Sequence, residues 1–274
     1  MFEMFGLQFM AQAFLVALIT GLLLSYLGVH VVGRGIVFVD LALGQISSLG
    51  VAFADYLGKG ETTIPLVFTL VGAFLLSFIN IRDKRLKQEA IIGIVYAVAS
   101  AATVLLISKS PHGDSNVQEV LFGNILAVSG AQIQMIAVVF GIIGLIHFIF
   151  RKQFFALTER FENHEIERIG VFNPWNFLFY LSIGLAIVFA VRIGGVIPVF
   201  SYLIIPSVSA IMMARKNWVL VTIAMIVSVL GGFIGLNVSY HFDFPAGSSI
   251  VVVLGGIFLL AAIVRAVKRA PATT

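Results

Sequence analysis

The chain has 274 residues, 60% of them hydrophobic and 11% charged, with a mean hydropathy of +1.08; so little polar surface cannot cover a water-soluble globule, and lipid is the medium it needs. Its formal net charge is +4 and its pI near 9.5, but the basic residues stand in short clusters between apolar runs, a pattern of membrane orientation and not of nucleic-acid binding. Cysteine is absent, which excludes disulfides, thiolate metal sites and thiol catalysis.

A bilayer core of about 30 Å and a helical rise of about 1.5 Å per residue set each crossing at roughly 20 apolar residues. The apolar stretches are continuous and rich in Leu, Ile, Val, Phe and Ala, unlike the short alternating segments of a membrane β-barrel. The first begins near Leu7 behind Glu3, without a basic segment or a small-residue cleavage site, and predicts a retained helix rather than a signal peptide. In chain order, helices are expected over 7–27, 36–57, 63–80, 90–107, 133–150, 176–192, 196–214, 218–237 and 249–265. The fold class is therefore all-α, a polytopic integral membrane protein with about nine transmembrane helices and one domain over 1–274.

Cytoplasmic loops carry the excess of Lys and Arg. The clusters Arg82, Lys84, Arg85 and Lys87, then Arg151, Lys152 and Arg160, then Arg215 and Lys216, then Arg265, Lys268 and Arg269 fall on one side if these helices alternate. That side also holds Arg34, and the arrangement places the N-terminus outside and the C-terminus inside. The stretch around Gly194, Gly195 and Pro198 reads either as two crossings or as one crossing and a re-entrant segment. The longest inside loop, about 151–175, alternates Phe161, Ile166 and Ile169 with Glu162, Glu165, Glu167 and Arg168. This predicts a short amphipathic surface helix, either an ordinary connection or a docking element for a cytoplasmic partner.

Intramembrane polar groups point to function by default. Asp40, Asp55, His147 and Arg192 are expected near helix ends, where interfacial water satisfies them. Gln45 is different: nine residues beyond Ile36 it would lie about 13 Å into the membrane, sharing a face with Leu41 and Ser48, while Asp40 shares the neighbouring face with Gly44 and Ser47. Such a small, polar helix side serves either as glue between helices or as the lining of a hydrated path. Glycines at 194, 195, 231, 232, 235, 255 and 256 are expected to permit close packing or kinks.

No phosphate-binding loop is found, since Gly58 to Thr62 has the wrong spacing, and no hydrolase or zinc-protease motif accompanies it. His30, His112, His164 and His241 stand in expected loops or at helix ends without a ligand pair; His241 with Asp243 is the candidate outside capture point for a metal.

The run Tyr240 to Val252, with Asp243, Pro245, Gly247, Ile250 and Val251, resembles the signature before the last helix of the zinc, manganese and iron ABC importer permeases. Ile92 to Val95, Leu121 to Leu126, and Leu203 to Pro206 resemble further segments of that family in the same order, so the likeness spans nearly the whole chain. It implies a permease subunit of an ABC importer for divalent metal ions, multi-pass in the cytoplasmic (inner) membrane of a prokaryote. The implied partners are a cytoplasmic ABC ATPase subunit, an extracytoplasmic metal-binding protein, and a second copy of the chain in a homodimer. No cofactor is expected on this chain, ATP being bound by the partner subunit. Glu162, Glu165, Glu167, Arg168 and Gly170 become, by this resemblance, the coupling element that docks on the ATPase.

One departure bears on the cargo. The family's second helix usually carries an Asp and a His four residues apart, where the cation is thought to pass; aligned on Ala42, Leu43 and Gly50, those positions are Leu41 and Gln45. Asp40 is about 100° around the helix, and neutral Gln and Ser are poor ligands for transition metals. The path is thus expected along Asp40, Leu41, Gln45 and Ser48, with Asp40, His241 and Asp243 as weak metal candidates. An ABC permease for a non-metal or chelated substrate, and an ATP-independent secondary transporter, remain alternatives.

Overall fold

The computed structural model describes residues 3–79, 88–108, 123–163 and 173–269. Among these there is no strand, and ten α-helices follow one another: α1 (Gln8–Gly33), α2 (Val39–Leu57), α3 (Thr63–Ser77), α4 (Gln88–Ile107), α5 (Gly130–Ile149), α6 (Arg151–Glu162), α7 (Pro174–Gly194), α8 (Val196–Met213), α9 (Asn217–Phe242) and α10 (Ala246–Arg269). Each expected stretch holds a helix, and α6 is the additional short one. Seven, α1, α4, α5, α7, α8, α9 and α10, are long and apolar enough to cross a membrane, whereas α3 is apolar but short.

Two boundaries differ from expectation by five residues or more. Helix α1 runs to Gly33 instead of 27, and α9 to Phe242 instead of 237. The polar residues that marked loops there, His30 in α1 and Ser239, Tyr240 and His241 in α9, are helical. His30 is fully buried with its ring edge-on to Tyr26 at 5.0 Å, so the expectation of a solvated loop histidine does not hold for it.

The helices show their lipid-facing sides directly. Only 17% of the apolar windows of α4 and of α10 is buried, leaving Ile94, Val98, Leu105, Val252, Leu260 and Ile263 bare; such surfaces belong against lipid or another protein, not water. In α5, Ile133, Ile136, Phe140, Ile143 and His147 recur every three or four residues as one buried stripe.

The described residues gather into two compact units, each discontinuous in sequence. The first comprises residues 1–32, 124–137 and 197–274. Within it α1 lies close on α8: a Cβ at Gly28 would run into the Leu203 carbonyl oxygen, and the Ser207 hydroxyl reaches the Ser25 carbonyl at 2.9 Å. Helices α9 and α10 form a tight hairpin in the same unit, since a Cβ at Gly235 would lie 2.5 Å from Ile250 Cα and one at Gly231 would strike Leu254. By contrast, a Cβ at Gly255 or Gly256 would meet nothing within 4 Å, so the close packing expected at those two positions is not found among the described residues.

The second unit comprises residues 33–123 and 138–196. Here α2 packs on α3, α4 and α7, and α3 on α7. Glycine again sets the separation: a Cβ at Gly50 would lie 2.6 Å from Pro65 Cα, and one at Gly72 2.7 Å from Ile46 Cδ1. Helix α7 ends at Gly194, and a single residue, Gly195 (φ 77°, ψ 165°), separates it from α8. Backbone of this kind is open to glycine and closed to most side chains.

Candidate translocation site

Helix α2 begins with Asp40 in its first turn and presents a series of small and polar residues along its length. Asp40 is 3% exposed, Gln45 6%, Ser47 1% and Ser48 3%. Asp40 is therefore not satisfied by interfacial water, as its place near a helix end had led us to expect. Both its carboxylate oxygens are buried, and no side chain among the described residues hydrogen-bonds to them. A carboxylate in that position is costly unless a positive charge or a polar ligand reaches it, by several kcal/mol on the scale of buried ions. Ser48 donates to the Gly44 carbonyl of its own helix at 2.9 Å, a bond that spends its proton locally and ties no neighbour. Leu41 is half-buried on the same helix.

His147 also departs from expectation: it is 1% exposed and stacks on Phe154 at 3.9 Å between centroids, 7° from parallel. Asp55 and Arg192 are exposed as expected, and Arg192 donates to Thr62 Oγ1 at 3.0 Å.

The Tyr240 to Val252 run proves to be the turn of the α9–α10 hairpin. Asp243 takes a left-handed conformation (φ 55°) as the cap of α9, a place that short polar residues tolerate better than others. The Ser239 hydroxyl donates to the Phe244 carbonyl at 2.7 Å, that of Ser249 to Pro245 at 2.9 Å, and Ile250 is fully buried. His241 and Asp243 are exposed, and His241 Nδ1 lies 2.9 Å from the Asn237 carbonyl. Among the described residues no three of His, Asp and Glu gather as a metal-holding group.

Of the residues expected to form a coupling element, Glu162 closes α6, while Glu165, Glu167, Arg168 and Gly170 lie outside the described residues. Helix α6 is itself amphipathic and reaches only the first residues of the expected pattern, Phe161 and Glu162, whereas Glu165 to Ile169 lie outside the described residues. Phe154, Leu157 and Phe161 are buried, with Trp175 against the last two, whereas Arg151, Lys152, Glu159, Arg160 and Glu162 face outward. Partial burial against its neighbours holds the outward Glu162 carboxyl above the usual carboxylate range, and neighbouring Glu159 adds to the effect.

Arg34 stands in the turn between α1 and α2, in the loop where it is expected, but its side chain is only 6% exposed. The available signal was its position in a Gly-Arg-Gly triplet, where Gly35 has φ +67° and a Cβ at Gly33 would lie 2.6 Å from Thr158 Cγ2.

Lipid-facing apolar helices and a second helix with buried polar side chains define a multi-pass membrane protein of the transporter class. The chain belongs to the ABC 3 transport family, whose profile matches residues 6–265; it is an ABC transporter permease. It is similar to the chelated iron transport system membrane protein of Yersinia pestis, at 28% identity over 97% of this chain and 89% of that one. It is also similar to the manganese transport system membrane protein of Listeria monocytogenes, at 26% identity over 93% and 90% of the two chains. Among solved structures, PsaBC from Streptococcus pneumoniae in complex with a Fab aligns with a TM-score of 0.77 at 26% identity, over 93% of this chain and 91% of that one.

Proposed function

We propose that this permease carries divalent transition-metal ions of the manganese and iron type, with zinc as a further candidate, into the cell at the expense of ATP hydrolysed by a separate subunit. The observation that carries the reading is the family match along almost the whole chain, together with relatives named for manganese and chelated iron transport. In this reading two copies pair, nine helices (α1–α5 and α7–α10) cross the bilayer, and the N-terminus lies outside. An extracytoplasmic binding protein delivers the ion.

The residues support a division of labour. Helix α2 lines the path, and Asp40, a buried carboxylate without a side-chain hydrogen-bond partner among the described residues, is the buried group of α2 with the chemistry to meet a passing cation. Gln45 and Ser48 line the same helix as neutral oxygen donors. Helix α6, apolar inward and charged outward, leads into the segment that docks on the ATPase, and movement there switches the helices between outward and inward access.

A second reading, cargo in chelated form, is favoured by Leu41 and Gln45 standing where the resemblance places Asp and His. A chelate brings its own ligands and needs fewer from the protein. Cells carrying the permease with its ATPase and binding protein are to be assayed for radioactive manganese uptake, beside cells with the ATPase deleted. Uptake that disappears with the ATPase supports the proposal, and equal uptake in both overturns it.

A further inference from the structure

A guanidinium sits buried in the second unit. Arg34, immediately after α1, donates from Nε to Thr158 Oγ1 at 3.2 Å and from Nη1 to Asn176 Oδ1 at 3.1 Å. Its guanidinium carbon lies 3.7 Å from the centroid of the Phe179 ring and 5.6 Å from that of Phe161. Thr158 and Phe161 belong to α6, Asn176 and Phe179 to α7. Asn176 in turn donates from Nδ2 to the Ser77 carbonyl, in the last turn of α3, at 3.2 Å. One side chain thus bridges α6 to α7 directly and, through Asn176, to α3.

Both neighbours of this bridge are fitted to it. Gly33 admits α6 closely, because a Cβ there would press on Thr158 and on Glu162 Oε1 at 2.7 Å. Thr158 aligns its hydroxyl by donating to the Phe154 carbonyl at 3.0 Å, which leaves the oxygen's lone pairs to the arginine. A planar guanidinium can serve two acceptors in different directions and stack on a ring at once, whereas an ammonium cannot hold that arrangement. Helix α3 then packs on α2 through Gly50 and Gly72. A continuous physical connection therefore runs from α6 through Arg34, Asn176 and α3 to the path-lining helix.

We propose that Arg34 is the positioning residue through which displacement of α6 by the ATPase is passed to α2. The inference rests on the coupling role assigned to α6 and adds to it the residue that transmits the movement. Its chemistry is the two-point grip on Thr158 and Asn176: charge alone does not suffice, and loss of either acceptor loosens it.

The test uses the full permease with its ATPase and binding protein in lipid vesicles, with manganese as the probe, and reads ions taken up per ATP hydrolysed by each assembled complex. Arg34→Lys, which keeps the charge, is expected to lower that ratio about fivefold or more, at the foot of the usual range for coupling between sites. Thr158→Val, nearly isosteric but without the acceptor, is expected to lower it too, while Thr158→Ser retains the wild-type ratio. The double variant Arg34→Lys with Thr158→Val should be no worse than the poorer single one, because both break the same contact. A purely structural staple would reduce the amount of assembled complex and leave the ratio untouched. An unchanged ratio in Thr158→Val, which does not depend on whether Arg34→Lys assembles, overturns the inference. If the wild-type complex itself takes up manganese without ATP, it is the coupling reading that fails.

Discussion

Gly123 provides a sharp test of the packing, because two penalties meet there and can be separated. It has φ +65°, and a Cβ on it would collide with the Gly194 carbonyl carbon and Gly195 nitrogen and lie 2.7 Å from Gly194 O. Ordinary contact needs about 3.5 Å, so Gly123→Ala forces backbone apart by at least about 0.8 Å where α7 ends. Gly58, the left-handed cap of α2, has φ +64° but nothing within 4 Å of its virtual Cβ. Gly58→Ala thus incurs only the conformational term, about 1 kcal/mol, whereas Gly123→Ala adds an overpacking term of about 1–3 kcal/mol. Heating the purified variants in detergent and following loss of the monodisperse species should show Gly58→Ala a few degrees below wild type. Gly123→Ala should fall two to four times further. If the two variants melt together, the contact of Gly123 with the α7 terminus is absent and the reasoning is refuted.

Three further outcomes follow from other residues. Asp243→Gly should retain uptake and thermostability while Asp243→Ala loses stability, because the residue caps α9 in a left-handed turn; loss of uptake in Asp243→Gly would instead mark the carboxylate as a ligand. Glu162 has its carboxyl held high by burial and by Glu159, so the folded chain keeps that proton more firmly than the unfolded one, and ionisation above the usual carboxylate range opposes folding. Glu162→Gln should accordingly match wild type in acid and exceed it at neutral pH in a melting series, and the reverse order would contradict the burial. Leu41→Asp with Gln45→His should raise manganese uptake or tighten its concentration dependence if α2 lines the path. Unchanged kinetics would move the path elsewhere.

The helices were legible because hydrophobicity in this chain is continuous, and lipid leaves helix as the economical way to satisfy a backbone. Their ends were less so. His30 and His241 look like loop residues, yet one packs on Tyr26 and the other turns to the Asn237 carbonyl within α9. The polar side of α2 was read from its spacing, and the burial of Gln45 and Ser48 agrees with it. Charge says nothing of burial: Arg34 stands in its expected loop, but its neighbours Thr158, Asn176 and Phe179 lie more than a hundred residues away, and the flanking glycines are the one local sign of a closely packed guanidinium. The 240–252 signature was visible as a motif, while its physical basis, a hairpin in which Gly235 receives Ile250, needed the coordinates.

In the proposed mechanism the charged side of α6 meets an ATP-driven subunit in the cytoplasm. Because the chain has no cysteine of its own, Glu159→Cys places a single thiol on that side, and a membrane-impermeant maleimide in oriented vesicles reports its location. The mechanism predicts labelling only where the cytoplasmic face is open, and protection when the ATPase is bound. Labelling from the extracellular face, or labelling indifferent to the ATPase, would contradict it.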